Sequence, residues 1–368
     1  MVCPAVKALA LTVGLRIFYS LVAALQAPFL FLNPDLISVN ALTQHVMQRG
    51  EHPVRYALLG VWERFDTLWY IHIASHGYNI TQSAVFYPLY PALIRVFSFI
   101  THGDLLSALL VMTVATFFFF WGALRLFELK ASPRMAFRAV LLWGLFPGAF
   151  VFFAGYPDSL LLAFTLWSLY FATRGHWGTA GVLGLVAGLT KAFGCLTLVP
   201  ILYFGWRKRD WRALPAALLT MAGTGAFQWW LEWHHYPSTT QIYQDFWLTV
   251  TSAPWFTVSE AVWQLAHGQD ALLALNFGAL AAVLAAGYLA RVPLEYRLYS
   301  AAAFCLIASK DSIPVFQSSV RYALVLFAAF PAMARRLEET FNLVTVLLPL
   351  VALNLFLLRV YLEWGLVV

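Results

Sequence analysis

The chain has 368 residues, of which 61% are hydrophobic and only 11% are charged, and its formal net charge is +6. A soluble domain carries roughly 25% charged residues, so this composition excludes an ordinary soluble enzyme. Because the basic residues are spread between apolar runs and form no single patch, the positive charge does not indicate a nucleic-acid-binding surface.

Apolar stretches of membrane-spanning length recur along the whole sequence, which predicts an all-α polytopic membrane protein with a single domain over residues 1–368. We predict about eleven transmembrane helices, with the N-terminus on the cytoplasmic side. Their ranges are about 6–27, 105–127, 138–154, 158–174, two short helices within 179–206, 212–231, 271–290, 297–309, 320–336 and 340–358.

Two long polar connections are predicted on the outer side of the membrane, at residues 28–104 (which include Asp35) and 232–270. The apolar segment 84–100 lies within the first. If it crossed the membrane, the next basic cluster would face outward, against the excess of Lys and Arg found in cytoplasmic loops. We therefore predict a juxtamembrane helix there. The residues of that cluster are Arg125, Lys130, Arg134 and Arg138.

The same rule divides the segment 179–206. Basic residues flank it on both sides, with Arg174 before it and four cations in 207–212 after it. Both of its ends are therefore expected on the cytoplasmic side, where Arg291 is also expected. Two short helices would then meet at a tip around Lys191 that reaches the outer face.

The most polar stretch of the first outer connection places Asp66 among aromatic residues, in the sequence Trp62-Glu63-Arg64-Phe65-Asp66-Thr67-Leu68-Trp69-Tyr70. A carboxylate in such surroundings costs free energy unless it has a partner or a function. Structural explanations are a helix N-cap or an ion pair with Arg64. The functional explanation is a general base in catalysis.

Several further polar residues are predicted near the outer membrane face, where ionisable groups mark functional sites by default. A lone acid and several cations at one interface suit an anionic lipid headgroup and a proton-accepting step. These residues are His72, His76, Tyr156, Asp158, Lys191, Lys310, Asp311, Gln317 and Arg321. His72 and His76 share a helical face but lack the Glu of the metalloprotease helix pattern, so we predict no metal and no cofactor.

Four stretches in order resemble one family. The pattern Trp-x3-Asp-x3-Tyr from Trp62, followed by Ile-Ala-x2-Gly-Tyr and Phe-Tyr-Pro-Leu-Tyr-Pro, is similar to the first extracytosolic loop of the PIG-V-like mannosyltransferases. This is the family of GPI mannosyltransferase II and its prokaryotic relatives. The later matches are Gly155-Tyr156-Pro157-Asp158-Ser159-Leu160, Gly188-Leu189-Thr190-Lys191-Ala192-Phe193-Gly194 and Ser318-Ser319-Val320-Arg321-Tyr322.

The resemblance implies the GT-C glycosyltransferase architecture, with juxtamembrane helices in the first outer loop. It also implies an inverting transfer of mannose on the extracytoplasmic face of the cell membrane. The donor would be a polyprenyl- or dolichyl-phosphate-mannose, and the acceptor a hydroxyl of a lipid-linked glycan, so both partners would lie within the membrane. The sequence leaves the acceptor, the linkage and the oligomeric state open.

The resemblance implies that Asp66 is the general base, at the position of the family's aspartate. Lys191, Lys310 and Arg321 would bind the donor phosphate. Residues expected to contact sugar or acceptor are Arg64, His76, Tyr78, Tyr87, Tyr156, Asp158, Gln317 and Tyr322. Structural alternatives stay open for three of these residues: a snorkelling lysine for Lys191, a helix-edge anchor for Arg321, and a helix N-terminal residue for Asp158.

Two other functions fit the composition. A membrane transporter or lipid flippase for a glycolipid or anionic substrate would use the cations as gates. It should place ionisable residues near the bilayer midplane and on both sides, whereas here they are predicted on one side, with Arg16 as the main exception. A non-catalytic assembly subunit would keep the activity of its complex after Asp66→Asn.

Overall fold

The structure, a computed structural model, describes residues 2–32, 37, 42–43, 46–268, 271–290, 292–340 and 342–365. Asp35 and Arg291 lie outside these residues. The described chain is mostly helical. Its α-helices are α1 (Pro4–Gln26), α2 (Pro53–Leu58), α3 (Asp66–His76), α4 (Leu89–Thr101), α5 (Asp104–Phe127), α6 (Pro133–Leu145), α7 (Asp158–Thr173), α8 (Trp177–Thr190), α9 (Leu198–Lys208), α10 (Ala213–Trp233), α11 (Thr239–Trp247), α12 (Pro254–Ala266), α13 (Ala271–Leu289), α14 (Leu294–Ala308), α15 (Ser319–Ala323), α16 (Ala329–Thr340) and α17 (Leu343–Leu362).

Four helical segments of the described ranges are long and apolar enough to cross a membrane, judged by length and composition. They are Pro4–Phe29, Asp104–Phe127, Ala271–Leu289 and Leu343–Leu362. Each coincides with a predicted span, which confirms a polytopic helical protein. The other predicted spans correspond to helices that are either too short or not apolar enough by these criteria. The structure therefore supports four of the eleven predicted transmembrane helices.

The predicted pair of short helices within 179–206 is confirmed. Helix α8 ends at Thr190, a 3₁₀ segment follows over Ala192–Thr197, and α9 begins at Leu198. The chain is extended at Lys191, with φ −167° and ψ 152°. The break therefore falls at the lysine that the sequence placed at the tip.

Two other predicted spans are wrong as single helices. In 138–154, α6 ends at Leu145, and the chain turns at Gly148, whose φ of 85° favours glycine. In 320–336, α15 ends at Ala323 and α16 begins only at Ala329. Side chains bond the backbone of this second gap, since Trp143 Nε1 donates to the Leu324 carbonyl and the Ala328 amide donates to Ser300 Oγ.

The ambiguous segment 84–100 contains α4, which has 13 residues. At 1.5 Å per residue such a helix is about 20 Å long, which is too short for a hydrocarbon core of about 30 Å. The helix packs against α3 and α5. The prediction of a short helix is confirmed, and its position along the membrane interface stays a prediction.

Small residues allow close contact between α8 and α10. Gly181 and Gly188 lie on the face of α8 that meets α10, and a Cβ atom at Gly181 would stand 2.9 Å from the Ala216 carbonyl oxygen. A Cβ at Gly223 of α10 would stand 2.0 Å from the Leu185 carbonyl oxygen. Such contacts between small residues are typical of membrane helices, where packing replaces the hydrophobic driving force.

Polar side chains within the apolar bundle bond across helices. Tyr19 of α1 donates to the Gly144 carbonyl and accepts a hydrogen bond from Asn354 of α17. Arg16, the exception noted in the sequence, donates to the carbonyl oxygen of Phe153. Its guanidinium thus joins α1 to the loop before α7, which gives this cation a structural role.

A short β-ribbon, which the sequence did not predict, connects the second outer connection to a segment beyond α14. Strand β1 (Thr249–Thr251) pairs antiparallel with β2 (Lys310–Ser312), with Val250 opposite Asp311. The amide of Ile313 also donates to the Leu248 carbonyl. The ribbon fixes α11 beside the residues that follow β2.

Candidate functional site

A cavity of about 790 Å³ lies between α3, the break after α8, the β-ribbon and α15. Its wall includes seven of the twelve residues predicted for the site. They are Asp66, Tyr87, Lys191, Lys310, Gln317, Arg321 and Tyr322. The fold therefore brings together residues that lie more than 250 positions apart in the sequence.

Asp66 is the first residue of α3, and the preceding Phe65 has a positive φ of 46°. A phenylalanine in that conformation needs support from its surroundings, which the rings of Tyr361 and Trp364 provide at centroid distances of 5.8 and 5.6 Å. Asp66 Oδ2 accepts a hydrogen bond from Arg321 Nη1 at 2.9 Å. Asp66 therefore pairs with Arg321, and not with Arg64 as the structural alternative expected.

Lys191 reaches the cavity from the break between α8 and α9. The break is compact because Gly194 has no side chain: a Cβ there would stand 2.1 Å from the Ala187 carbonyl carbon. The ammonium of Lys191 lies 3.0 Å from Asp158 Oδ1 and 5.1 Å from the centre of the Tyr322 ring. Lys191 is 14% exposed, so it is a fixed cation in the wall and not a snorkelling one.

Asp158 and Tyr156 do not line the cavity and lie behind its cations. The Asp158 side chain is 1% exposed, and its Oδ2 stands 3.8 Å from Arg321 Nε. The guanidinium carbon of Arg321 lies 4.8 Å from the centre of the Tyr156 ring. Both residues had been expected to contact sugar or acceptor, whereas in the structure they contact Arg321, and Asp158 also contacts Lys191.

Lys310 brings a third cation to the wall, at the start of β2. Its ammonium lies 4.5 Å from the centre of the Tyr243 ring and 5.8 Å from that of Tyr322. Burial disfavours the charged form, but the interactions with Tyr243 and Tyr322 raise the pKa of Lys310 above its usual range. Lys310 therefore stays positively charged at neutral pH.

Arg64 is the clearest correction among the predicted site residues. It is fully buried, donates to the carbonyl oxygens of Gly60, Glu63 and Leu362, and its guanidinium carbon lies 4.6 Å from the centre of the Trp364 ring. Since these contacts enclose the guanidinium, it is not available to a substrate. Arg64 instead ties the first outer connection to the end of α17.

His76 and Tyr78 also lie away from the cavity. Helix α3 places His76 ten residues from Asp66, about 15 Å along the helix. His76 is exposed and stacks on His72 with ring centres 4.8 Å apart. The Tyr78 hydroxyl donates to the Phe86 carbonyl at 2.7 Å, so it holds the loop that carries Tyr87.

Tyr87 itself lines the cavity, and Gln228 Nε2 donates to its hydroxyl oxygen at 3.5 Å. Burial raises the pKa of the Tyr87 hydroxyl to about 12. The hydroxyl is therefore neutral at physiological pH and can donate a hydrogen bond into the cavity. This placement agrees with the predicted contact to sugar or acceptor, which stays a prediction.

Apart from Tyr87 and Tyr322, the sequence did not show which aromatic rings belong to the wall. Trp69 and Phe86 stack with centroids 5.6 Å apart, and Trp247 of α11 contacts both rings edge-on. Tyr243 of the same helix covers Lys310. The enrichment of the second outer connection in Trp and Tyr was visible in the sequence, but which rings reach the cavity depends on the β-ribbon.

Among the described residues of the wall, the cations Lys191, Lys310 and Arg321 face a single acid, Asp66, so this part of the wall is unbalanced in charge. Such a wall can bind an anionic group through its cations and, in the same cavity, place a carboxylate next to the bound molecule. Across the described ranges, no three His, Cys, Asp or Glu side chains are grouped as a metal ion would require.

The family model for mannosyltransferases of the PIG-V type matches residues 12–209, which is more than half of the chain. The chain belongs to the PIG-V mannosyltransferase family. Asp66, Asp158 and Lys191 lie within the matched range, whereas Lys310 and Arg321 lie beyond it. Among curated proteins, none matches the sequence.

Two crystal structures of ArnT from Cupriavidus metallidurans are similar to this PIG-V family member. The one bound to undecaprenyl phosphate has a TM-score of 0.50 and 14% sequence identity, and the alignment covers 96% of this chain and 76% of that one. The apo structure gives a TM-score of 0.47 and 13% identity over 81% of this chain and 70% of that one. The first similarity supports the GT-C architecture expected from the sequence.

Proposed function

We propose that this enzyme transfers mannose, with inversion, from a polyprenyl- or dolichyl-phosphate-mannose donor to a hydroxyl of a lipid-linked glycan. The reaction would take place at the extracytoplasmic face of the membrane. The observation that carries the proposal is one cavity that holds Asp66 together with three cations. A general base and a phosphate-binding group are the two functions that such a transfer requires.

In this reaction Asp66 accepts the proton of the acceptor hydroxyl while the oxygen attacks the anomeric carbon of mannose. The bond between that carbon and the phosphate oxygen breaks, and the polyprenyl phosphate leaves with the bonding electrons. Lys191, Lys310 and Arg321 stabilise the charge that develops on the leaving phosphate. No nucleotide takes part in the step.

The lipid character of the donor is supported by the surroundings of the cavity. Phe246, Leu248 and Ile313 line it and are all exposed, so an apolar chain can lie against them while the phosphate meets the cations. The similar ArnT structure contains undecaprenyl phosphate. A polyprenyl phosphate is also the leaving group of the donor proposed for this enzyme.

The test is a transfer assay with purified protein in lipid nanodiscs, synthetic polyprenyl-phosphate-mannose and a panel of lipid-linked acceptors. We expect Asp66→Asn to lower turnover by about 10²–10⁴-fold, the usual contribution of a general base. Asp311→Asn is the matched control, because it removes the same charge from a residue that does not line the cavity. Full turnover by Asp66→Asn would exclude Asp66 as the base. The transporter is tested separately with the protein in sealed vesicles, where movement of donor from one leaflet to the other with no transfer would favour that alternative.

A further inference from the structure

The Arg321 guanidinium has a protein group at each of its three nitrogens. Nη1 donates to Asp66 Oδ2 at 2.9 Å, and Nη2 donates to the Tyr322 hydroxyl at 3.4 Å. Nε faces Asp158 Oδ2 at 3.8 Å. The Arg321 side chain is only 6% exposed, so an anion in the cavity can reach it fully only if one of these groups moves.

The two carboxylates on Arg321 differ in how firmly they are held. Asp158 is 1% exposed, bonds Lys191 at 3.0 Å and does not line the cavity. Asp66 is 24% exposed and lines the cavity. An anion that approaches from the cavity therefore meets Asp66 at the place where it would contact the guanidinium, while Asp158 stays behind Arg321.

Oδ2 of Asp66 accepts the hydrogen bond from Arg321 Nη1 at 2.9 Å, so while this contact lasts that oxygen meets the guanidinium and not an acceptor hydroxyl. Two anions on the same side of one guanidinium also repel each other. Phosphate binding and the Asp66–Arg321 contact are thus in competition. Loss of that contact is what a general base at Asp66 needs.

We propose that the donor phosphate takes the place on Arg321 that Asp66 holds in this structure, and that this exchange frees Asp66 to accept the acceptor's proton. The inference rests on the proposed function, since it assumes a phosphate-bearing donor in this cavity. Asp158, fixed by Lys191, keeps Arg321 in position during the exchange. The base is then active only when a donor is bound.

The experiment measures binding of undecaprenyl phosphate to the purified full-length protein in nanodiscs. Since Asp66→Asn removes the competing carboxylate, we expect it to tighten binding by about tenfold or more, although the same variant loses turnover. Asp66→Ala should tighten binding as well. The control Asp311→Asn removes a negative charge next to Lys310 but outside the cavity, and it should bind as the wild type does.

Equal or weaker binding by both Asp66 variants overturns the exchange, and so does equal tightening by Asp311→Asn, which would reveal a general charge effect. Arg321→Ala separates this inference from the proposed function. If Arg321→Ala binds undecaprenyl phosphate as tightly as the wild type, the phosphate site itself is wrong. Inorganic phosphate, used as a second probe at equal ionic strength, should bind far more weakly than undecaprenyl phosphate. Equal affinity would contradict the proposal that the site binds a phosphate carried by a lipid.

Discussion

The ammonium of Lys191, a cation of the cavity wall, lies 3.0 Å from Oδ1 of Asp158, which is buried behind that wall at the start of α7. Because Asp158 is 1% exposed and Lys191 is only 14% exposed, removal of the carboxylate leaves the Lys191 ammonium without its ion-pair partner in a largely buried position. Loss of one partner of a buried pair costs about 3–5 kcal/mol in the free energy of unfolding. We therefore expect Asp158→Asn to lower the thermal unfolding temperature of the purified protein markedly.

The control for this prediction removes both charges. Lys191→Met in the Asp158→Asn background should recover part of the lost stability, because the lysine no longer lacks a partner. Full recovery is not expected, since Asp158 also faces Arg321. A double variant that loses the sum of the two single effects would show that the pair does not contribute as a unit.

Arg64 is expected to act on stability and not on substrate binding, in contrast to the cations of the cavity wall. Arg64→Ala removes the guanidinium that donates to the carbonyls of Glu63 and Leu362, at about 1–3 kcal/mol for each carbonyl that stays buried, whereas the Gly60 carbonyl keeps the hydrogen bond from the Glu63 amide. We expect a lower unfolding temperature with little change in the KM for donor of the folded protein. His76→Ala, at an exposed position, is the comparison that should change neither. A raised KM with unchanged stability would return Arg64 to the binding site.

Arg64 and Arg321 show how far the site could be predicted from the sequence. Both are arginines on the predicted outer side, and the sequence predicted a substrate contact for each, Arg321 with the donor phosphate and Arg64 with sugar or acceptor. Only the fold shows that Arg64 bonds the end of α17, while Arg321 reaches the cavity. The break at Lys191 was predictable, because the cations that flank 179–206 required two short helices.

The break within 320–336 was not predictable in the same way, whereas the break within 138–154 falls at Pro147-Gly148, a local turn signal in the sequence. The backbone at Leu324 and Ala328 is bonded by Trp143 and Ser300, residues that are distant in sequence. The β-ribbon has the same origin, since strands of three residues carry no periodic pattern of their own. A single sequence does not show which distant segments pair with each other. In this protein the pairing of β1 with β2 decides which aromatic rings of 232–270 contact Lys310.

Tyr243 is the most specific of these unpredicted contacts. The ammonium of Lys310 lies 4.5 Å from the centre of its ring, and a cation–π contact contributes about 0.5–2 kcal/mol. We expect Tyr243→Ala to raise the KM for the donor by roughly 2- to 30-fold, because Lys310 loses the ring that fixes it. Tyr243→Phe keeps the ring but loses the hydroxyl that also interacts with the Lys310 ammonium, so its KM should lie between those of the wild type and Tyr243→Ala in the same transfer assay. If Phe and Ala had equal effects, the hydroxyl and not the ring would hold Lys310.

Gly155 sets the position of Asp66 through Thr67, the next residue of α3. A Cβ atom at Gly155 would stand 2.3 Å from Thr67 Cγ2 and 2.9 Å from Thr67 Cβ. Gly155→Ala must therefore shift the start of α3 or the loop before α7, and overpacking of this kind costs about 1–3 kcal/mol. Since both segments carry partners of Arg321, we expect the variant to lose transfer activity as well as thermal stability.

The double variant Gly155→Ala with Thr67→Gly tests this explanation, because it removes every Thr67 side-chain atom that the new methyl group would meet. It should recover much of the activity that Gly155→Ala loses, although glycine weakens the first turn of α3 by up to about 1 kcal/mol. Gly225→Ala in α10 is the matched control. A Cβ there meets nothing within 4 Å, so the same substitution should be neutral or stabilise the protein by about 0.5–1 kcal/mol. If Thr67→Gly restored nothing, the effect of Gly155 would have to act through other neighbours, and the contact with Thr67 would not be what positions Asp66.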